Sequence, residues 1–565
     1  MNSLTVAVVA VIWFIIGYAM YGRWVDRRLA TPDDARPTPA HEQADGVDYA
    51  ASKRRMLWGN HFASIAGAGP IIGPILATSI FGWGPTLIWV LVGSLFIGAI
   101  HDYMALMLSL QNKGEEMAQL AREYLGPSVR RPFALLLYFM LMLLVAVFMV
   151  SVAEALVNMP ALVIPTFGLV GIAVIMGVAV YGFGVNDILA TVLGVVSIYA
   201  LIYVGWKHPI SLPASLSKEH VIGIWLAILS AYCLIASLAP MQYLLRPRDV
   251  ISSVKLWIGM LLGLLGLFVA RPPIDAPAFV GDFVSHGKPL WPMLFIMVAC
   301  GAVSGFHSLV STGTTARQLD KESDAKGVAF GGMLSEGLLA VLVLLVVSAG
   351  LKWGMAPEGT ARAAERYFGD ALAQNWIIAF SNGFGNIVHG TGIAFLTVPL
   401  AALVGAVMVK SFILTTLDVG TRLSRYLIEE NFGDAAPILR NKTVASLSVL
   451  VPAFLLAYAH AYGNVWKLFG AVNQLVAAVV LCCITVYLSQ ENKPRMPALI
   501  PAVFMLATTG AALLWEMFAP GTGYFTSAEP NYSLGVLAGV LLMLGLTAAF
   551  QARRAFAGGP KYGSK

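Results

Sequence analysis

Charge is what this chain has least of. Asp, Glu, Lys and Arg make up 12% of its 565 residues, about half the share usual in soluble domains. No polar stretch between apolar runs exceeds roughly 40 residues, short of an independent folding unit. That excludes a soluble enzyme and argues against a nutrient sensor, which needs a signalling domain. Cysteine is scarce too: Cys233, Cys300, Cys482 and Cys483 all lie inside apolar segments, where they read as small buried hydrophobes rather than a disulfide framework. The net charge of +6 comes from Lys and Arg in the connections, which membrane topology accounts for, so no nucleic-acid partner is expected. The first apolar run, 4–21, has no basic n-region and no small-residue cleavage site, and reads as a retained anchor.

What the chain has is apolar length. Hydrophobic residues make up 58% of it and mean hydropathy is +0.77. Runs of at least about 17 apolar residues mark membrane spans, and the sequence predicts fifteen: 4–21, 60–82, 84–110, 133–157, 165–183, 187–206, 221–239, 252–270, 291–313, 327–350, 389–417, 443–461, 464–488, 497–519 and 533–552. With the N-terminus outside and the C-terminus in the cytoplasm, most of the 36 Lys and Arg fall inside, as the positive-inside rule requires. The Pro-containing stretch 31–52 reads as a cytoplasmic linker and 115–125 as a helix on the membrane surface. The outer loop 355–388 is expected to hold one short helix near 361–368 and a Gly-rich turn at SNGFGNIVHG.

Two of the fifteen segments are interrupted alike. WGNHFASIAGAGPIIGP (58–74) carries Gly67, Gly69 and Gly73; MLFIMVACGAVSGFHSLVSTGTT (293–315) carries Gly301, Gly305 and Gly313. Breaks at membrane depth persist only where they face a protein-lined space, and matched breaks in two halves of a chain point to a transport site. The first runs inside to outside and the second outside to inside, as an inverted repeat requires. The sequence therefore predicts an all-α membrane protein with a LeuT-like five-plus-five inverted repeat. The expected division is a leading helix and linker (1–58), a first five-helix repeat (59–206), an inserted helix pair (207–290), a second repeat (291–490), and two trailing helices with a tail (491–565).

At these residues the chain resembles the carbon starvation protein A (CstA) family. The matching stretches are MLWGNHFASIAGAGPIIGPILA (56–77), RPRD (246–249), ACGAVSGFHSLVSTGTT (299–315), MLSEGLLA (333–340), SFILTTLDVGTRLSRYLIEE (411–430) and LFGAVNQLVA (468–477). The family commonly shows two adjacent histidines where this chain has Asn60 and His61. The resemblance implies a secondary transporter of the bacterial inner membrane that takes up peptides or pyruvate, coupled to protons, and serves carbon starvation and stress.

The residues assign roles within that frame. An unwound segment offers carbonyls to a cation, and a half-helix N-terminus favours a carboxylate, so the substrate is expected against Ala66, Gly67, Ala68, Gly69, Pro70, Cys300, Gly301, Ser304, Gly305 and His307. Pro70 suits the first turn of a restarted helix. A Val at Gly69 or Gly305 is expected to block the solute and leave the fold intact. Carboxylates at membrane depth cost about 3 kcal/mol unless paired or hydrated, and Asp102 and Glu336 are the candidate proton carriers. Ser411, Thr415 and Thr416 are hard oxygen ligands suited to a coupling ion. The expected ion is H+, with Na+ as the alternative. Asp187 and Asp418 read as structural, and Asn473 and Gln474 as interhelical hydrogen-bonding groups. His61, His101, His307, His389 and His460 fall in or beside spans, so a haem- or metal-binding redox protein is the competing reading, with His61 and His307 its weak ligand candidates. No cofactor, no enzymatic activity and no set oligomeric state are expected; the partners are a small solute, pyruvate or a peptide, and the bilayer.

Overall fold

Backbone polar groups in a bilayer must be satisfied within the chain, and this protein meets that demand almost entirely with helices. The computed structural model describes residues 2–45, 49–213, 215–240, 242–459 and 462–556; His460 lies outside them. Among the described residues thirteen helices are long and apolar enough to cross a membrane, and one bent pair makes a fourteenth. The second interrupted segment completes the expected fifteen. It is too fragmented to pass as one helix.

The chain opens with α1 (Ser3–Ala30). The first broken helix follows as α2 (Arg54–Ile65) and α3 (Gly69–Phe81), bent by 43°. Next come α4 (Trp83–Gln111), the surface helix α5 (Met117–Leu125), α6 (Pro127–Asn158), α7 (Pro160–Gly182), α8 (Asp187–Lys207), α9 (Lys218–Leu238) and α10 (Leu245–Ala270). The second broken helix is α11 (Leu290–Met297) and α12 (Gly305–Val310), the latter running into a π-turn at Ser311–Thr315. After it come α13 (Glu322–Gly350), α14 (Trp376–His389), α15 (Val398–Phe432), α16 (Lys442–Ala459), α17 (Tyr462–Gln490), α18 (Met496–Phe518) and α19 (Tyr532–Phe556).

Two sequence expectations need correction here. The span expected at 389–417 starts at Val398 and runs on to Phe432, and SNGFGNIVHG is helix rather than turn. Asn375 starts α14 by accepting the Ile377 N–H at 2.8 Å. The glycines of α14 serve helix contacts: a Cβ on Gly383 would lie 2.5 Å from the Val346 carbonyl oxygen of α13, and one on Gly385 would lie 2.7 Å from the Val398 carbonyl oxygen of α15. Clustered glycines signal turns and close helix packing alike, and here packing wins.

The broken helices are antiparallel. The second half of the first, α3, lies against the first half of the second, α11: a Cβ on Gly73 would lie 2.7 Å from the Met297 carbonyl oxygen. The remaining halves also meet, where His61 of α2 reaches Thr315 at the end of the π-turn. This is the inverted arrangement expected of a five-plus-five fold. In the packing around it, α10 runs along α2 and α15, as α17 runs along α12 and α6, while α8 packs on α7 and α10. The linker is stitched to the loop after the second broken helix. Thr38 Oγ1 donates to the Leu319 carbonyl at 2.6 Å, the Ser52 N–H to the Gln318 carbonyl at 2.9 Å, and Arg36 pairs with Glu322 at 3.2 Å.

The breaks leave no room for side chains between them. A Cβ on Gly69 would come 2.3 Å from Cys300 Cβ, and one on Gly305 would come 2.4 Å from the Asn473 carbonyl oxygen. The expectation that Val is harmless to the fold at these positions is therefore overturned. Gly69→Ala should lower stability by about 1–3 kcal/mol, the usual cost of overpacking. Adding Cys300→Gly should recover much of it, read as thermal unfolding in detergent.

Candidate functional site

Each break is built differently. Ala66 leaves the helix with ψ of 56°, Gly67 and Ala68 carry the chain across, and α3 restarts at Gly69 with Pro70 in its first turn, where the missing N–H costs nothing. Ala66, Gly67, Ala68, Gly69 and Pro70 are all buried. At the second break Asn473 of α17 closes the gap. Its Oδ1 accepts the Phe306 N–H at 2.9 Å, and its Nδ2 donates to Ser304 Oγ at 3.1 Å and lies 3.3 Å from Cys300 Sγ. Trp89 donates to the Val298 carbonyl at 3.0 Å and Ser94 to the Gly301 carbonyl at 2.8 Å, while Gln474 reaches the Phe295 carbonyl. Much of the polar backbone freed there is thus satisfied by protein donors, so Cys300, Gly301, Ser304 and Gly305 form a packed joint.

Directly beside this joint lies a buried chain of ionisable groups. His101 Nδ1 is 2.8 Å from Asp102 Oδ1, and His307 Nδ1 is 2.8 Å from the other oxygen of Asp102. On its far side His307 Nε2 is 3.2 Å from Glu336 Oε2. All four residues are 0% exposed. Three elements contribute: α4 supplies His101 and Asp102, the short α12 supplies His307, and α13 supplies Glu336. The structure therefore brings Asp102 and Glu336 together through His307. Groups this close titrate as a unit, and their protonation decides whether His307 is tied to both neighbours. His307 Nε2 and both Glu336 oxygens lack a well-formed hydrogen bond, so the far end of the chain is not fully satisfied.

Ser411, Thr415 and Thr416 do not converge on one point. Thr416 faces the first break, its Oγ1 lying 2.6 Å from where a Gly67 Cβ would be. Thr415 bonds back to the Ser411 carbonyl at 2.9 Å. Ser411 is engaged by Lys255 of α10, whose ammonium donates to its hydroxyl. Lys410 is buried nearby and donates to the Leu162 carbonyl at 2.9 Å.

A second charged cluster lies where α9, α10 and α15 meet. Arg248 pairs with Asp418 and, at 2.9 Å, with Asp249; it also donates to Tyr232 Oη at 2.7 Å, and that hydroxyl donates to Asp418 at 2.7 Å. Asp418 is thus a structural group, as is Asp187, whose carboxylate accepts the Ile188 N–H at 2.9 Å. Glu154 accepts from Asn375 at 2.8 Å, and His389 lies 3.1 Å from the Leu396 carbonyl. Among the described residues no group of three or more His, Cys, Asp and Glu is set to hold a metal ion. His61 meets Thr315 at 2.9 Å and His307 is held in the carboxylate chain, so the two weak ligand candidates are engaged separately.

Polar cavities approach the breaks from the linker end. One of about 40 Å³ is lined by Asn60, His61, Ser64, Asp249, Thr315 and Gln318 among others, and one of about 30 Å³ shares Asp249 and Gln318. The groove of about 690 Å³ between Trp89, Phe295 and Phe504 is almost wholly apolar and touches none of the buried ionisable groups.

Over this geometry, the profile of the carbon starvation protein CstA family matches residues 2–356 and 348–512. The chain belongs to the CstA family. Among its relatives are "Peptide transporter CstA" of Bacillus subtilis, 32% identical over 96% of this chain and 95% of that protein, and "Pyruvate/proton symporter BtsT" of Escherichia coli, 30% identical over 94% and 84%. Of solved structures, a manganese transporter of Eremococcus coleocola aligns with a TM-score of 0.49 at 11% identity, covering 91% of this chain and 99% of that one.

Sequence reasoning missed the basic half of this CstA-family site: Lys255, Lys410 and the pairing of Arg248. The signal was there, a lysine inside each of the runs 252–270 and 389–417, although a long lysine stem in a span also reads as snorkelling. Arg248→Ala should cost about 3–5 kcal/mol, because it strands a buried Asp418. The double variant Arg248→Ala/Asp418→Ala should be less damaged than the single one, measured by denaturant or thermal unfolding.

Proposed function

We propose that this protein is a secondary transporter that imports a small carboxylate-bearing solute, pyruvate or a short peptide, together with protons. The relatives named for peptide transport and for pyruvate/proton symport support this class. The observation that carries the proton is the buried chain His101, Asp102, His307 and Glu336 at the joint of the broken helices. Ionisable groups held at membrane depth mark ion pathways and proton relays. His307 belongs to the mobile kind of element, a half-helix next to a break, and it is clamped between carboxylates on α4 and α13. Adding or removing a proton changes that clamp, which links proton occupancy to movement of α12 against its neighbours.

Sodium is the weaker reading. Ser411, one of three hydroxyls suited to a sodium ion, is already bonded to Lys255 Nζ, and the three hydroxyls do not converge on one point. By packing, we assign α9 and α10 to the first five-helix set in the places that α16 and α17 hold in the second, with α7 and α8 as the inserted pair. The basic linker end is assigned to the cytoplasm of a bacterial inner membrane.

Uptake of labelled pyruvate and labelled dialanine into proteoliposomes tests the reading. An inward proton gradient with choline replacing sodium should drive accumulation of at least one of them. Glu336→Gln and Asp102→Asn should each lower that accumulation about tenfold or more while counterflow exchange persists. Accumulation that depends on sodium, or that survives both substitutions, overturns the proton assignment.

A further inference from the structure

We propose that His61 is the group through which the coupled proton leaves the buried chain toward the linker end. The proposal rests on the proton-coupled reading above and adds a residue outside the His101–Asp102–His307–Glu336 chain.

Three placements carry it. His61 occupies the last turn of α2 before the first break and is 1% exposed. Its ring lies against α13 at Gly332, where an added Cβ would come 3.0 Å from the imidazole Cδ2 and 3.6 Å from Nε2. Gly332 and Glu336 are four residues apart, one helical turn or about 6 Å along α13. His61 is therefore the next ionisable group along α13 from Glu336 toward the linker. Its Nδ1 is fixed 2.9 Å from Thr315 Oγ1, five residues beyond the last residue of α12. Its Nε2 is buried with no partner. A buried polar atom left unpaired is costly, so its retention calls for a use.

The third placement is the exit. His61 lines the cavity of about 40 Å³ together with Asn60, Ser64, Asp249 and Gln318. The neighbouring cavity of about 30 Å³ shares Asp249 and Gln318 and extends to Arg422 and Tyr426. Spaces of that size with several polar partners hold water. The charged and titratable groups facing His61 are Asp102 of α4 and His307 of α12 on one side, with Glu336 one turn further along α13, and Arg246 and Asp249 of α10 on the other. An imidazole can accept a proton on one nitrogen and release one from the other. In this scheme the proton passes from the Glu336–His307 pair to His61 and then to water in the cavity, leaving each group with the charge it began with, and His61 returns to its starting tautomer by exchange with the cavity water before the next proton. Tying the exit group to Thr315 makes release depend on the position of the segment that carries His307.

His61→Gln tests this, because Gln can still bond Thr315 but cannot carry a proton. The readouts are uptake of labelled pyruvate and dialanine, proton entry reported by a pH dye in the vesicle lumen, and substrate counterflow, which needs no net proton movement. Gradient-driven uptake and proton entry should fall about tenfold or more, with counterflow within about twofold of the unsubstituted protein. Should His61→Gln not fold, His61→Ala with imidazole added to the buffer replaces it, and imidazole should restore proton entry. If uptake and proton entry are unchanged, or if counterflow falls in parallel with them, His61 is not the exit group. If the unsubstituted protein itself moves no protons with either solute, the proton-coupled reading fails and the exit with it.

Discussion

Everything near the centre of this protein depends on two interrupted helices meeting where neither has room for a side chain. Gly69 against Cys300, Gly73 against the Met297 carbonyl and Gly305 against the Asn473 backbone are contacts of backbone with backbone or with the root of a side chain. Close approach of this kind is how helices adhere in a solvent that offers no hydrophobic drive. It also puts unwound peptide groups where lipid cannot satisfy them, which explains why Asn473, Trp89 and Ser94 are aimed at that joint. The joint is tight on the α3 and α11 side and opens into small polar cavities on the α2 side, and this asymmetry gives the centre a direction.

The two buried charge clusters illustrate opposite uses of the same expensive material. Around Arg248 one guanidinium is shared by Asp249 and Asp418 and a phenol bridges it to Asp418, a network closed on itself that fixes α9, α10 and α15 relative to one another. Around His307 the groups are joined in a row, and among the described residues the ion-pair partner of Glu336 at its end is an imidazole that is charged only when protonated. A closed network resists change. The row crosses three helices, one of them only six residues long.

Much of this was legible in the sequence, for reasons that can be stated residue by residue. Gly67, Gly69 and Pro70 inside an apolar run have few uses other than a break, and Asp102 and Glu336 stand out because carboxylates in such runs are costly. Their meeting through His307 could not be read, since it depends on which faces of α4, α12 and α13 turn toward each other. Lys255 and Lys410 were overlooked because a lysine among apolar residues also fits a stem reaching for the interface. The glycines of α14 misled in the other direction, being read as a turn when they let two helix backbones touch. Local pattern fixes where a helix is interrupted; long-range packing decides what an interruption is for.

The linker carries a mechanical consequence. Thr38, Ser52 and Arg36 fasten it to the loop 318–322 that follows the second broken helix, and its other end continues into α1, which packs along α13. In a transport cycle of the kind proposed, a swing of the linker-side half of that broken helix would haul on the leading helix as on an outrigger. Much of the surface of α1 is exposed on the outside of the bundle, through Val8, Val9, Ile12, Ile15 and Ile16, so surrounding lipid would act as a drag on the moving part, and the stiffness of the bilayer would enter the rate of that cycle.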